Sequence, residues 1–278
     1  MIAKAELARK SKEWKIRFDV VEKDFCIGWL LKSIAEQESI SNNLAFKGGT
    51  ALRKCYFCDY RFSEDLDFTI LKRFDKLNLD AVFSSVVDYA SQESGCDFKL
   101  VSFNKIREVK NEEAYEVKIS FRGPSNPMNM IPIIKVDITE YEQVMVDPKI
   151  KEIIHPYSDA FKTNICVYSL DEILAEKLRS VLQQKTRIPR PRDFYDIWYL
   201  LKFAFNEIDI DAVIDVFHKK CEFKNVKYKK VSDFFDEDLL RKNNQAWNAS
   251  ISKQVYALIE FDKLVDELKE ELLIKIFN

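Results

Sequence analysis

Glycine and histidine are scarce in this 278-residue chain, which holds five glycines (Gly28, Gly48, Gly49, Gly95, Gly123) and two histidines (His155, His218). A dinucleotide fold needs G-x-G-x-x-G and a Walker loop needs G-x-x-x-x-G-K-[ST], and a single adjacent glycine pair supplies neither. Multi-histidine zinc sites and histidine acid–base catalysts are hard to build here, since neither histidine lies in a ligand-spaced motif. Catalysis, if present, falls to carboxylates and lysines. No apolar run approaches the roughly 18 residues of a membrane span, and the opening MIAKAELARKSKEW has no apolar stretch after its charges. A soluble, cytoplasmic protein with no membrane partner is expected, its six scattered cysteines reduced. Cys55-x-x-Cys58 lacks the second ligand pair that a structural zinc needs.

What is present is a globular composition, 47% apolar and 13% aromatic, above the level at which a chain fails to bury a core. Apolar residues between Phe18 and Glu36 recur at three and four, the period of an amphipathic helix. Leu44-Ala45-Phe46 then runs into Lys47-Gly48-Gly49-Thr50 and Ala51-Leu52-Arg53-Lys54-Cys55-Tyr56, which parses as strand, glycine turn and helix. Alternation marks strands at 65–70, 115–121 and 133–138, with a helix around Leu79 to Glu93. The proline-rich stretch 122–132 predicts a hairpin-like loop, making its flanking strands antiparallel neighbours. After Tyr168 the pattern turns helical, over Leu170–Gln184, Phe194–Phe205, Ile210–Lys219 and Ile251–Ile276, with Ser169 as an N-cap. The reading is α+β: a mixed sheet with flanking helices in residues 1–168, then a helical domain in 169–278 that completes a cleft.

Asp65 and Asp67 are i and i+2 on a strand and share a face, where two carboxylates repel unless a divalent cation lies between them. A solvated pair at an exposed strand end is the plainer alternative. Asp137, on another strand between Val136 and Ile138, adds a third carboxylate. Three carboxylates converging with open positions for water and phosphate describe a Mg2+ site for phosphoryl or nucleotidyl transfer, with Mn2+ a substitute. Gly48-Gly49-Thr50, between strand and helix, would bring bare backbone N–H groups and a hydroxyl to a triphosphate, with Lys47 supplying a cation. A tight turn needing positive φ is the alternative there.

These strings resemble a known family. Phe46-Lys47-Gly48-Gly49-Thr50-Ala51-Leu52 and Arg61-Phe62-Ser63-Glu64-Asp65-Leu66-Asp67-Phe68, with Val21–Phe25 upstream and 175–179 and 190–198 downstream, are similar to the AbiEii/AbiGii toxin family of nucleotidyltransferases, within the DNA polymerase beta superfamily. Coverage runs from about residue 18 to 205, with Gly-Gly-Thr standing where the wider superfamily has Gly-Ser. The resemblance implies a nucleotidyltransferase-type sheet followed by a helical bundle, and transfer of a nucleoside monophosphate from an NTP. It implies Asp65, Asp67 and Asp137 as metal ligands, Asp137 serving also as general base. It implies Lys47, Gly48, Gly49, Thr50 and Ser63 at the nucleotide, joined from the helical half by Lys177, Asp193 and Asp196. Without it, Lys177 reads as a helix charge pairing with Glu176 or Asp171, and Asp193 and Asp196 as capping residues beside Pro191.

Six basic residues and no acidic ones fall between Lys177 and Arg192, and six lysines against Glu222 alone fall between His218 and Lys230. These stretches, with Arg179, Lys185, Arg187, Arg190 and Arg192 foremost, fit an RNA backbone, or a solvated helix face. The resemblance implies an RNA acceptor, specifically the tRNA 3′ end, and a cognate antitoxin encoded nearby, in a toxin–antitoxin or phage-defence pair. The alternatives are a nucleotidyltransferase acting on a small-molecule or protein hydroxyl, and a catalytically dead member that binds RNA or protein. The tail 231–278 reads as a core-packing helix pair.

Overall fold

A computed structural model describes residues 2–72, 78–107, 113–125, 131–139 and 142–277. It resolves into two compact units, one of Met1–Glu142 with Pro148–Tyr168 and the other of Gln143–Asp147 with Ser169–Asn278. The first unit opens with α1 (Lys4–Trp14) and α2 (Phe18–Glu36), the latter on the residues its period predicts and buried along most of its length. After the short α3 (Glu38–Ser41) comes β1 (Leu44–Lys47), buried at all four positions. Gly48–Ala51 then forms α4, which runs on as a π-helical turn over Leu52–Tyr56. β2 (Leu66–Ile70) and α5 (Leu79–Ser94) follow.

The remaining strands are β3 (Asp97–Arg107), β4 (Glu113–Arg122), β5 (Ile133–Thr139), β6 (Lys149–Glu152) and β7 (Asn164–Val167). The described strands form one mixed sheet ordered β3-β4-β5-β2-β1-β7-β6. The β2/β5 and β1/β7 pairs are parallel and the others antiparallel. β4 and β5 are antiparallel neighbours as expected, although residues 126–130 of their connection lie outside the described residues. One face of the sheet, with Val117, Ile119, Phe121, Ile134, Val136 and Ile138, belongs to the same apolar core as α2 and α5. The other face carries the polar half of each alternation. β3 escapes a period-two reading because its register shifts between Leu100 and Ser102, which breaks the alternation mid-strand.

The second unit is helical: α6 (Leu170–Gln183), α7 (Pro191–Phe203), α8 (Ile210–Phe223), α9 (Glu237–Ile251), α10 (Phe261–Glu267) and α11 (Leu273–Phe277). Ser169 caps α6 as expected, its hydroxyl accepting from Glu172 N at 3.1 Å. α7 starts three residues earlier than its apolar pattern, with Pro191 in its first turn. The helix expected over Ile251–Ile276 starts later, at Phe261, because Ile251 ends α9 and the chain leaves helix between them; from Phe261 it continues through a π-helical turn over Leu268–Leu272. The break after Ile251 seats Phe261 against Trp247 (5.1 Å between centroids) and lets the indole N–H donate to Ile259 O at 2.9 Å. Among the described residues no helix is long and apolar enough to cross a membrane.

Candidate active site

Antiparallel pairing of β1 with β2 sets Lys47 opposite Asp67, and parallel pairing of β2 with β5 sets Asp67 opposite Asp137. Antiparallel pairing of β5 with β4 completes the row by setting Asp137 opposite Glu116. Residues in register share a face, so Lys47, Asp67, Asp137 and Glu116 line up across four strands of the polar face, and Asp65 lies just before β2. Asp137 is half-buried, and its carboxyl is raised above the usual range by burial first, then by the negative charges of Asp65 and Glu116. A carboxylate with raised proton affinity suits a proton acceptor, and Asp65 and Asp137 are near enough to repel.

The glycine turn packs directly on this row. Gly48 has φ +78, and a Cβ there would lie 2.6 Å from Asp67 Oδ2. Gly48→Ala is therefore expected to cost about 1–2 kcal/mol of stability through its left-handed backbone. It should cost roughly 100-fold in nucleotide transfer through displacement of Asp67. A thermal melt beside a transfer assay reads both effects, and an alanine variant of wild-type activity would contradict the packing. A Cβ on Gly49 would meet Arg61 Nη2 at 2.5 Å and Ser63 Oγ at 3.4 Å. This puts a buried guanidinium and the Ser63 hydroxyl beside the turn, and Arg61 was not singled out by its position in the sequence.

Two expected phosphate contacts are already occupied within the protein. Thr50 Oγ1 donates to the backbone O of Asp65, tying α4 to the carboxylate strand, so its hydroxyl proton is not available to a triphosphate. The Lys47 ammonium is buried and paired with Glu142, whose carboxylate also accepts from Thr69 Oγ1 at 3.4 Å. Tyr168 OH donates to Thr69 Oγ1 at 2.7 Å and extends that chain. Glu142 stands in no motif, and only the fold brings it to Lys47.

In the second unit, Lys177, Ser180 and Gln184 lie at i, i+3 and i+7 on one face of α6 and its end, where they meet α7. Lys177 Nζ donates to Asp193 Oδ1 at 2.7 Å and pairs with Asp196 Oδ2 at 2.8 Å. Asp193 Oδ2 accepts from Ser180 Oγ at 2.7 Å and Gln184 Nε2 at 3.2 Å. Burial works against ionisation of Asp193, but Lys177 and Arg190 outweigh it and hold the carboxyl below its usual range. The three charged residues expected from the helical half are thus one hydrogen-bonded group.

The basic stretches are less uniform than their composition. Arg187 and Arg190 are exposed and Arg192 is half-buried. Arg179, expected on a surface, is buried and donates to Gln183 Oε1 at 2.6 Å. Lys220 is also interior, paired with the fully buried Glu172 at 2.7 Å. Asp233 joins what remains: its carboxylate accepts from Lys229 N (2.7 Å) and Lys230 N (3.2 Å), and Lys185 Nζ stands 3.8 Å away.

Among the described residues no three Asp, Glu, His or Cys side chains are gathered into a metal cage. Mg2+ seldom asks for one, being held by one or two carboxylates together with substrate phosphates and water. Asp67 and Asp137 in register, with Asp65 repelling Asp137, fit a divalent ion that arrives with a triphosphate.

A mixed sheet with a glycine turn packed on a row of carboxylates, followed by a helical unit, defines a nucleotidyltransferase-like protein. The chain belongs to the family described as "Nucleotidyl transferase AbiEii toxin, Type IV TA system", whose model matches residues 29–267. It is a nucleotidyltransferase toxin of a type IV toxin–antitoxin family, with an NTP as substrate and an antitoxin as implied partner. Its fold is similar to MenT4, a nucleotidyltransferase toxin from Mycobacterium tuberculosis H37Rv, with TM-score 0.65, 20% identity, and 96% of this chain and 88% of that one covered. JHP933 from Helicobacter pylori also matches, with TM-score 0.49 and 17% identity over 95% of this chain and 86% of that one. No curated protein matches the chain by sequence.

Proposed function

We propose that the protein transfers a nucleoside monophosphate from an NTP to a hydroxyl of RNA, the tRNA 3′ end above all, by a Mg2+-dependent in-line displacement in the cytoplasm. The observation that carries the reading is the carboxylate row with Gly48 packed bare against Asp67. Asp65, Asp67 and Asp137 would hold the metal, which supplies charge neutralisation at the α-phosphate and the leaving pyrophosphate. Backbone N–H groups of Gly48 and Gly49 at the start of α4 face the phosphates, beside the Arg61 guanidinium. Asp137 takes the proton from the acceptor hydroxyl as the O–P bond forms and pyrophosphate departs.

The RNA part of the reading is supported by Asp233, which pairs with Lys185 and accepts from the backbone of Lys229 and Lys230, so that one end of each basic stretch meets the other. Purified protein incubated with each radiolabelled NTP, Mg2+ and total tRNA is expected to label RNA with one or two of the four nucleotides, and a chelator should stop it. Absence of labelled RNA with every NTP would overturn the reading.

A further inference from the structure

The polar face of the sheet continues past the carboxylate row on β4 and β5. The next position in register sets Lys118 directly opposite Lys135. Two residues along a strand span about 6.8 Å, so these cations are the immediate neighbours of Glu116 and Asp137. Like charges directly opposite one another destabilise a strand pair, and here a single carboxylate serves both. Glu116 lies 2.9 Å from Lys118 Nζ and 3.9 Å from Lys135 Nζ. The two lysine side chains are 34% and 49% exposed. Further along, Arg122 pairs in register with Asp97, and the 71% exposed Lys99 stands 3.2 Å from Asp97. The open face of β3, β4 and β5 thus carries four cations, Lys99, Lys118, Arg122 and Lys135, against three carboxylates, Asp97, Glu116 and Asp137.

The opposed lysines share the single carboxylate of Glu116 and keep their ammonium groups partly exposed on this face. A polyanion laid across it removes the repulsion. Continuity with the carboxylate row identifies the polyanion as the molecule whose hydroxyl reaches Asp137. We propose that the open face of β3–β4–β5, centred on Lys118 and Lys135, is the track for the phosphodiester backbone of the acceptor RNA as its 3′ end enters the active site. This rests on the RNA reading above. It places a second cationic surface in the sheet unit, apart from the arginines and lysines of the helical one.

The test is the double variant Lys118→Gln, Lys135→Gln, assayed by labelled-nucleotide transfer to total tRNA across a salt series, by calorimetric binding of a Mg2+-NTP, and by thermal melting. Removing the opposed charges should leave the melting temperature unchanged or raised, and NTP affinity unchanged. KM for RNA should rise about tenfold, and the slope of log affinity against log salt should fall by roughly 1–2. Wild-type KM and salt slope in the variant would overturn the track while leaving the RNA reading intact. Failure of the wild type to label any RNA would overturn both, and is seen without the variant. Unchanged RNA kinetics with lost binding of poly-glutamate would assign the face to an acidic polypeptide and overturn the track.

Discussion

Asp67→Asn is expected to lose nucleotide transfer by at least about 100-fold, since even outer-shell partners of a metal cost 10–100-fold when removed, while unfolding no earlier than the wild type. The amide keeps the shape that packs against Gly48 but removes the charge that would ligate the metal. Asp67 lies in register with Asp137, and Asp137 already has its carboxyl raised by burial and by Asp65. The isosteric amide keeps the packing against Gly48 and the place in the sheet, so the expected loss falls on the chemistry and not on the fold. Transfer to tRNA and a thermal melt on the same preparation separate the two effects. A variant with wild-type transfer would remove Asp67 from the metal site, and one that melts well below the wild type would mean that its carboxylate is a structural partner instead.

The parts of this site that were legible in the sequence are those written in local pattern. A strand running into Gly48-Gly49-Thr50 and a helix, and aspartates alternating with apolar residues, need only a few residues to be recognised. The row itself needs pairings between distant segments. Lys47 meets Asp67 although no hairpin turn joins β1 to β2, and Asp67 meets Asp137 across a parallel pair 70 positions apart. Composition misled wherever a charge was interior. Arg179 and Lys220 count as basic residues in their stretches, yet one bonds Gln183 and the other a buried Glu172. Glu142 carried no signal, because its partnership with Lys47 depends on where the chain returns after β5. The same holds for Lys118 and Lys135, whose opposition exists only once β4 and β5 are in register.

Asp24→Ala should show the opposite signature, losing stability first and activity only with it. Asp24 on α2 is 1% exposed; its Oδ1 accepts from Arg53 Nε at 2.7 Å and its Oδ2 from Lys54 Nζ at 2.7 Å and Tyr157 OH at 2.9 Å. Both cations are themselves buried, and Arg53 also donates to Tyr60 O at 2.6 Å and stacks on Phe62. Removing the shared carboxylate leaves two buried cations uncompensated, a loss of about 3–5 kcal/mol for a buried pair against a total stability of about 5–15. Burial would raise the Asp24 carboxyl, but Arg53 and Lys54 outweigh it and hold it far below the usual range. Its contribution is therefore complete above the unfolded carboxylate pKa of about 3.9 and is lost as pH falls below that value. Denaturant unfolding followed by circular dichroism should find the variant several kcal/mol weaker at pH 7, with the gap to wild type narrowing in acid. Arg53 and Lys54 lie on the helical turn that continues α4, so loosening them loosens the backbone that presents Gly48 and Gly49. Activity should track the folded fraction; an Asp24→Ala protein that is as stable as wild type would show that Arg53 and Lys54 find other partners.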